Sequence, residues 1–234
     1  MNKFVSAVIV AAGNSSRMGN GISKQFIELN SEPVILHTVK AFQKSNMVDE
    51  IIVVCLKKDI SKVQNLLNKN GITKLSKVVK GSSTRQKSAE CGVKEVNSEC
   101  THIAIHDGAR ALILPGEIDK VVKDAFVHNA STAAVPVKDT IKIVNGDLFI
   151  DETPDRNTLY AVQTPQVFEK GIYLKALQKA NSDGKDYTDD CQLVENIGLQ
   201  VHICIGDYNN IKITTPEDIN VALNIIKTRK DDNS

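Results

Sequence analysis

The sequence predicts an α/β fold with a mostly parallel central sheet and a projecting β-hairpin arm. Short apolar runs rich in β-branched residues alternate with stretches of helical periodicity, and the first run leads directly into a turn rich in glycine and serine. One segment breaks this alternation with the pattern of a hairpin. Strands that alternate with helices form a parallel sheet covered on both faces, so most of these runs should be buried.

The composition favours a single globular domain with a small-molecule site. The 234 residues include 41% hydrophobic residues, and 29 Lys plus Arg offset 28 Asp plus Glu to give a net charge of +1. Such a chain is long enough for a sizeable core, and we expect one domain over residues 1–234. A balanced charge provides no overall field for nucleic acid or an anionic membrane, so neither partner is expected. Six Phe, four Tyr and no Trp leave few residues for stacking on bases.

Each predicted element follows from a local pattern. The run at residues 5–11 is too short to span a bilayer, and a signal peptide, the competing interpretation, would need a basic start and a cleavage site that this chain lacks. We therefore expect a buried first strand and a cytoplasmic protein. Helical spacing of apolar residues predicts helices at 33–43 and 60–68. The predicted strands lie at residues 5–11, 50–56, 75–79, 102–105, 132–137 and 201–205.

The cysteines do not indicate a disulfide framework or a zinc site. Their number is odd, and no C-x-x-C pair occurs among them. We interpret them as small buried hydrophobic residues. They are Cys55, Cys91, Cys100, Cys191 and Cys204.

The hairpin pattern lies within residues 138–160, which we expect to form an arm inserted in the domain. Two β-rich runs, 140–144 and 148–150, flank Asn145-Gly146, a pair that favours the two positive-φ positions of a type I′ turn. A hairpin does not easily join a parallel sheet, so it should project and expose its β-branched residues. A second copy of the chain is the simplest partner for them, and the alternative is a hairpin folded back on its own domain.

The strongest local signal for a ligand is the loop after the first strand. It contains Gly13 and two serines, then Arg17, and Lys24 follows seven residues later. Backbone N–H groups of such a loop, at the carboxyl end of a parallel strand, bind phosphate, and the two cations would add to the same site. The spacing matches neither a dinucleotide fingerprint nor a P-loop, and solvated turns have similar composition.

A second signal is Asp107, which follows the strand at 102–105 and should face the ligand crevice of an open sheet. A carboxylate beside a triphosphate is suited to Mg²⁺, which clamps phosphate oxygens during phosphoryl transfer. The alternative is an aspartate that bonds its own backbone in a tight turn. Further along, the alternation of Lys212 with two isoleucines predicts a strand whose lysine points inward. Residues 215–218, in contrast, have the composition of an ordinary helix cap.

Together these segments resemble a known family. In order, the chain carries A-A-G-x-S-x-R-M-G with K-Q, then G-x-x-x-R-x-x-S, H-D-G-A-R, V-x-D-T-I-K, D-R-N, Q-T-P-Q-x-F, Y-T-D-D and N-I-K-I-T-x-P-E-D. This set, which covers essentially the whole chain, resembles the 2-C-methyl-D-erythritol 4-phosphate cytidylyltransferases. The resemblance implies a Rossmann-like nucleotidyltransferase fold, the non-mevalonate isoprenoid pathway, Mg²⁺ dependence and a homodimer whose arm reaches the partner's active site. The chain departs from the family at Ala111, where a proline is usual.

The resemblance also implies roles for individual residues. A phosphate oxygen of methylerythritol 4-phosphate would attack the α-phosphorus of CTP, with Arg17 and Lys24 as the catalytic cations, Lys212 on a phosphate and Asp107 on the metal. The expected CTP-binding residues are Ala11, Ala12, Gly13, Gly81, Ser82, Ser83 and Ser88. The expected residues for the methylerythritol phosphate are Arg110, Thr140, Arg156 and Thr164, with Thr140 and Arg156 supplied by the partner's arm.

Two other functions stay open at this point. A ribitol 5-phosphate cytidylyltransferase shares the loop, the hairpin and the Thr-Pro-Gln segment, although Arg156-Asn157 favours methylerythritol phosphate. A nucleotide-binding protein without catalysis is the other, because a fold alone does not establish activity. The joint presence of Arg17, Lys24, Asp107 and Lys212 argues against it.

Overall fold

The computed structural model describes residues 3–13 and 23–231, the last two by their backbone alone. The strands are β1 (Val5–Ala11), β2 (Glu28–Leu29), β3 (Glu32–Pro33), β4 (Glu50–Cys55), β5 (Leu75–Lys80), β6 (His102–Asp107), β7 (Ala130–Pro136), β8 (Ile143–Val144), β9 (Ile150–Glu152), β10 (Tyr160–Glu169) and β11 (His202–Ile205). The helices are α1 (Val34–Lys44), α2 (Ile60–Lys69), α3 (Arg85–Val93), α4 (Pro115–His128), α5 (Lys170–Ser182), α6 (Asp190–Glu195) and α7 (Pro216–Asp231).

Seven strands form one sheet in the order β11-β7-β10-β6-β1-β4-β5. Every pairing in it is parallel except those of β10, which runs antiparallel between β6 and β7. The predicted α/β class with a mostly parallel sheet is therefore confirmed. The six predicted strands and two predicted helices agree with the observed bounds to within two residues.

Two apolar cores cover the two faces of this sheet. Alternate residues of β1 point to opposite faces, so that Ile9 packs with α1, α2 and α4, whereas Val8 packs with α3, α5 and α6. Both side chains are fully buried. A third apolar cluster fixes α7 against the segment after β6, through Leu112 and Ile213. Burial on both faces explains why the strand sequences are almost continuously apolar.

Two segments near the sheet differ from the sequence prediction. Strand β10 was not predicted, and the strand predicted around Lys212 is wrong. Residues 211–214 do not form a strand, and the Ile213 N–H donates instead to the carbonyl of Ala109, in the turn after β6, at 2.9 Å. The alternation of isoleucines around Lys212 arises from packing on that turn and on α7.

The hairpin projects as expected: β8 and β9 form a separate two-stranded sheet and are exposed along their length. Its predicted type I′ turn is wrong. The positive φ, 65°, falls on Leu148 and not on Asn145 or Gly146. The Asn145 side-chain oxygen accepts hydrogen bonds from the N–H groups of Asp147 and Phe149, at 3.0 and 3.1 Å. These bonds favour a longer loop with one left-handed residue at its end.

The cysteines are free thiols. Cys55, Cys100 and Cys191 are buried as predicted, and Cys91 and Cys204 are partly exposed. Within residues 3–13 and 23–231, helices of the length and hydrophobicity needed to cross a membrane are absent.

Candidate active site

A cavity of about 270 Å³ opens where the carboxyl ends of β1 and β6 meet. Open parallel sheets bind ligands at this edge. Both the small-residue segment after β1 and the loop before α3 reach it, as the sequence predicted. The cavity is lined by Val10, Ala11, Ala12, Gly13, Lys24, Gln25, Leu56, Ser82, Ser83, Thr84, Arg85, Ser88, Asp107, Gly108, Ala109 and Lys212.

The polar centre of the cavity is Asp107, the last residue of β6. One of its carboxylate oxygens accepts a hydrogen bond from Arg85 at 3.0 Å, and the other is 2.8 Å from the Lys212 ammonium. Burial alone would raise the pKa of Asp107, but these cations lower it well below its usual range. The aspartate therefore stays ionised and fixes two cations at the cavity wall.

Arg85 links this centre to helices α5 and α6. Its guanidinium also contacts the buried carboxylate of Asp190 at 2.5 Å, and Asp190 accepts a hydrogen bond from the Tyr173 hydroxyl at 2.7 Å. Neither Arg85 nor Asp190 was among the predicted site residues. Both stood within the motifs that carry the family resemblance, in G-x-x-x-R-x-x-S and Y-T-D-D, which was the signal that could have identified them.

Thr164 forms a hydrogen bond with Asp107 but does not line the cavity. Its hydroxyl accepts a hydrogen bond from the Asp107 N–H at 3.1 Å and lies 3.0 Å from Nδ1 of the fully buried His106. The other ring nitrogen of His106 is 3.3 Å from the carbonyl of Arg110. This pattern fits a neutral imidazole that accepts from Thr164 and donates to Arg110.

The loop before α3 lies close to the end of β1 because residue 81 is glycine. A Cβ at Gly81 would lie 2.3 Å from the Cβ of Ala12, which no packing tolerates. The Ser88 hydroxyl donates to the carbonyl of Thr84 at 2.7 Å and accepts from the N–H of Ser82 at 3.0 Å. Ser88 thus shapes the loop, and Ser82 and Ser83 line the cavity.

Lys24 is placed by its neighbour in the chain. It begins a short 3-10 helix, Lys24–Phe26, in which the buried Gln25 side chain donates to Asp59 at 3.0 Å. This bond holds the helix against the segment that precedes α2, and Lys24 lines the cavity. Arg17, the other predicted catalytic cation, lies outside the described residues.

Arg110 is largely buried beside the site. Its guanidinium donates to the carbonyl of Asn210 at 2.8 Å, and its Nε is 4.0 Å from Asp107. That Nε is buried without a hydrogen-bond partner. In this arrangement Arg110 ties the segment before Lys212 to the turn after β6.

The two predicted arm residues do not line the cavity of their own chain. Thr140 and Arg156 are exposed on either side of the hairpin. The Arg156 guanidinium donates to the carbonyl of Lys138 at 2.9 Å. Within one protomer, the structure therefore brings together the predicted loop residues, Lys24, Asp107 and Lys212, but not the residues on the arm.

Comparison with known proteins agrees with this arrangement. The family model described as 2-C-methyl-D-erythritol 4-phosphate cytidylyltransferase matches residues 5–228. The chain belongs to this family. A protein of that name from Caldanaerobacter subterraneus subsp. tengcongensis is 47% identical over 219 residues, which are 93% of this chain and 96% of the relative. Another, from Alkaliphilus metalliredigens, is 42% identical over 228 residues, covering 97% and 95% of the two chains.

A solved structure of the cytidylyltransferase family shares the fold over the same length. It is described as 4-diphosphocytidyl-2C-methyl-D-erythritol synthase from Anaerococcus prevotii, is 32% identical, and covers 96% of this chain and 99% of its own. Its TM-score of 0.87 confirms the Rossmann-like fold of the cytidylyltransferases expected from the sequence. Family membership makes this chain a nucleotidyltransferase.

Proposed function

We propose that this chain transfers the cytidylyl group of CTP to 2-C-methyl-D-erythritol 4-phosphate, giving CDP-methylerythritol and pyrophosphate for isoprenoid precursor synthesis. The observation that carries the proposal is the cavity at the ends of β1 and β6 in a chain of this family. There Lys24, Lys212 and Asp107 line a cavity of about 270 Å³ together with a loop of small residues.

This reaction requires the protein to align the two substrates and to neutralise negative charge. An oxygen of the methylerythritol phosphate forms a bond to the α-phosphorus of CTP, and the bond from that phosphorus to the oxygen bridging to the β-phosphorus breaks. Pyrophosphate leaves with the electron pair. Because the nucleophile is already an anion at neutral pH, no general base is required, and catalysis comes from alignment and from neutralising the developing charge.

Each cation of the site has a place in this scheme. Lys24 and Arg17 would contact the α-phosphate, where negative charge accumulates, and Lys212 would contact a second phosphate. The ion pair with Asp107 holds the Lys212 ammonium at the cavity. Ala11, Ala12, Gly13, Gly81, Ser82, Ser83 and Ser88 would hold the base and ribose.

We also propose that Mg²⁺ takes part and that Asp107 holds it together with phosphate oxygens. The donor fits this ion: the carboxylate is ionised, and each of its oxygens makes one hydrogen bond while retaining capacity for another ligand. Bound there, Mg²⁺ would neutralise phosphate charge during transfer.

The substrate phosphate would be held by two subunits. We propose a homodimer in which Thr140 and Arg156 of one arm reach the partner's cavity. There Arg110, beside that cavity, would contribute to phosphate binding, and Thr164 would act through its hydrogen bond to Asp107. Support comes from the arm itself: Leu148, Phe149 and Ile150 are 80%, 71% and 61% exposed, and such side chains favour burial against a partner.

A cytoplasmic location is the last part of the proposal. It rests on the free thiols of the five cysteines, which are typical of a reducing compartment.

A product assay tests the proposed function. Purified protein with CTP and Mg²⁺ should form a CDP-polyol from methylerythritol 4-phosphate and not from ribitol 5-phosphate. Lys24→Ala should lower kcat at least about 10²-fold, about 2.7 kcal/mol of transition-state stabilisation. The matched control, Lys58→Ala, removes an exposed lysine outside the cavity and should keep full activity. Faster turnover of ribitol 5-phosphate would assign the chain to the alternative substrate, and no turnover of either would favour a binding protein.

A further inference from the structure

Two histidines and an aspartate meet at the edge of the sheet opposite the cavity. Asp124 and His128 are one helical turn apart at the end of α4, and His202 begins the edge strand β11. Residues 102, 131 and 202 lie at the amino ends of parallel strands, whereas the cavity lies at the carboxyl ends. This cluster therefore has no part in the proposed cytidylyl transfer.

The three side chains are close enough to share one ion. One ligand atom from each lies within 4.8 Å of the other two. His202 Nδ1 is 2.7 Å from Asp124 Oδ2, and His128 Nε2 is 3.9 Å from Asp124 Oδ1. Ligand atoms at about 2.1 Å from a single ion lie about 3 to 3.4 Å apart. A pair at the 4.8 Å limit would therefore have to approach by about 1.4 Å, or about 0.7 Å for each atom.

Both histidine side chains are partly exposed to solvent. Their exposed fractions are 42% for His128 and 48% for His202, and the rings stack at 3.9 Å between centroids. The carboxylate between them is held more firmly, because Ser131 donates a hydrogen bond to Asp124 at 2.6 Å. Partial burial would raise the pKa of Asp124, but the bonds from Ser131 and His202 lower it, so the ligand is anionic at neutral pH.

We propose that Asp124, His128 and His202 bind a divalent transition-metal ion, with Zn²⁺ as the representative ion. Two imidazoles and one carboxylate form a ligand set typical of zinc and related ions, whereas Mg²⁺ prefers oxygen ligands alone. The i, i+4 spacing places Asp124 and His128 on one face of the helix, as in other helical metal sites. Three protein ligands leave further positions for water or for another donor.

Two nearby residues that could bind a metal ion, Cys204 and Glu195, are not part of the three-ligand cluster. Cys204 lies two residues beyond His202 on the same face of β11. Cys204 is not among the three residues whose ligand atoms lie within 4.8 Å of one another. Glu195 lines the same shallow cleft as the two histidines and adds negative charge without joining the three-ligand cluster.

Metal binding by the full chain tests the proposal. The metal-free protein should bind one Zn²⁺ in a calorimetric titration, and excess Mg²⁺ should not displace it. His128→Ala and His202→Ala should each weaken Zn²⁺ binding at least about tenfold, while circular dichroism shows an intact fold. The control, His37→Ala, removes a histidine of α1 that is outside the cluster and should bind Zn²⁺ like the parent protein.

Three results would overturn the assignment. Zn²⁺ affinity that survives both substitutions would place the ion elsewhere, and an equal loss in His37→Ala would show nonspecific binding to imidazoles. A thiolate charge-transfer band in the Co²⁺-substituted protein would indicate cysteine ligands instead. Cytidylyltransferase activity should be unchanged in His128→Ala and His202→Ala, so the outcome is independent of the proposed function.

Discussion

Asp107 is a buried carboxylate that the fold places between the cations of Arg85 and Lys212. Its place at the end of a strand, and the cation at Lys212, followed from local sequence. The pairing with Arg85 did not, because Arg85 also contacts Asp190, 105 positions away in the chain, and nothing local indicates such a contact. A buried carboxylate needs paired cations, but sequence alone does not say which cations the fold delivers.

His106, next to Asp107, is buried in its neutral form. Complete burial lowers its pKa to about 3, although the charge of Asp107 opposes this shift. The unfolded chain binds a proton near pH 6.5, while the folded chain does not until about pH 3. The stability that this histidine contributes is therefore complete above pH 6.5 and is lost progressively as the pH falls toward 3.

This difference predicts the acid sensitivity of the protein. Between pH 7.5 and pH 5 the His106 contribution should lower the free energy of unfolding by about 2 kcal/mol. In His106→Gln, where this position does not titrate, the free energy of unfolding should fall by about 2 kcal/mol less over the same pH interval. Urea denaturation of both proteins measures this difference. The pKa of His102 is also lowered by burial, but His102 is present in both proteins and does not affect the difference. Parallel pH dependences in the two proteins would contradict a neutral His106.

The sequence of β10 explains why this central strand was not predicted. Gln163, Thr164 and Gln166 are polar and surround a proline, a pattern that argues against a central strand. The structure accommodates them through distant partners: Asn210 donates to Gln163 at 3.2 Å, and Gln166 donates to Asp189 at 3.1 Å. The pairing with β7 shifts register between Val162 and Gln166. Such compensation depends on tertiary contacts and leaves no local signal.

The start of α7 was correctly interpreted as capping chemistry, and this gives a prediction about the segment that carries Lys212. Asp218 accepts hydrogen bonds from the N–H groups of Thr214 and Thr215, at 2.7 and 2.8 Å. Asp218→Ala should lower the free energy of unfolding by about 1 kcal/mol, as for other lost helix caps. Asn220→Ala, at an exposed position of the same helix, should stay within about 0.5 kcal/mol of the parent. Equal thermal shifts in the two variants would show that the cap is unimportant.

At the scale of the whole molecule, the cavity of a single protomer is lined by only some of the predicted site residues. Lys24 and Lys212 line the cavity, whereas Thr140 and Arg156 lie on the arm. The sequence analysis expected this separation, because it placed Thr140 and Arg156 on a projecting arm, and within one protomer the two residues do lie outside the cavity. The proposed dimer resolves this separation, since each arm would complete the partner's cavity.

Subunit exchange tests that arrangement. Arg156→Ala and Lys24→Ala should each be inactive alone. If Arg156 acts on the partner's cavity, a mixed dimer has one site with both defects and one with neither, and random pairing should restore about a quarter of the parent activity. A mass-spectrometric count of mixed dimers serves as the control for exchange. Activity that stays at the level of the single variants, with exchange demonstrated, would place Arg156 in the cavity of its own subunit.

The base of the arm is closed: Tyr160 pairs with Pro136, so the chain leaves the sheet and re-enters it at adjacent positions of β7 and β10. Residues 137–159 are thus an excursion whose two ends already lie side by side. An insertion of this kind changes in length and sequence at no cost to the strands that carry it, because their hydrogen-bond ladder is complete without it. During divergence, the sequence of the arm, which we propose contacts the partner subunit, is then able to change separately from the residues that line the cavity.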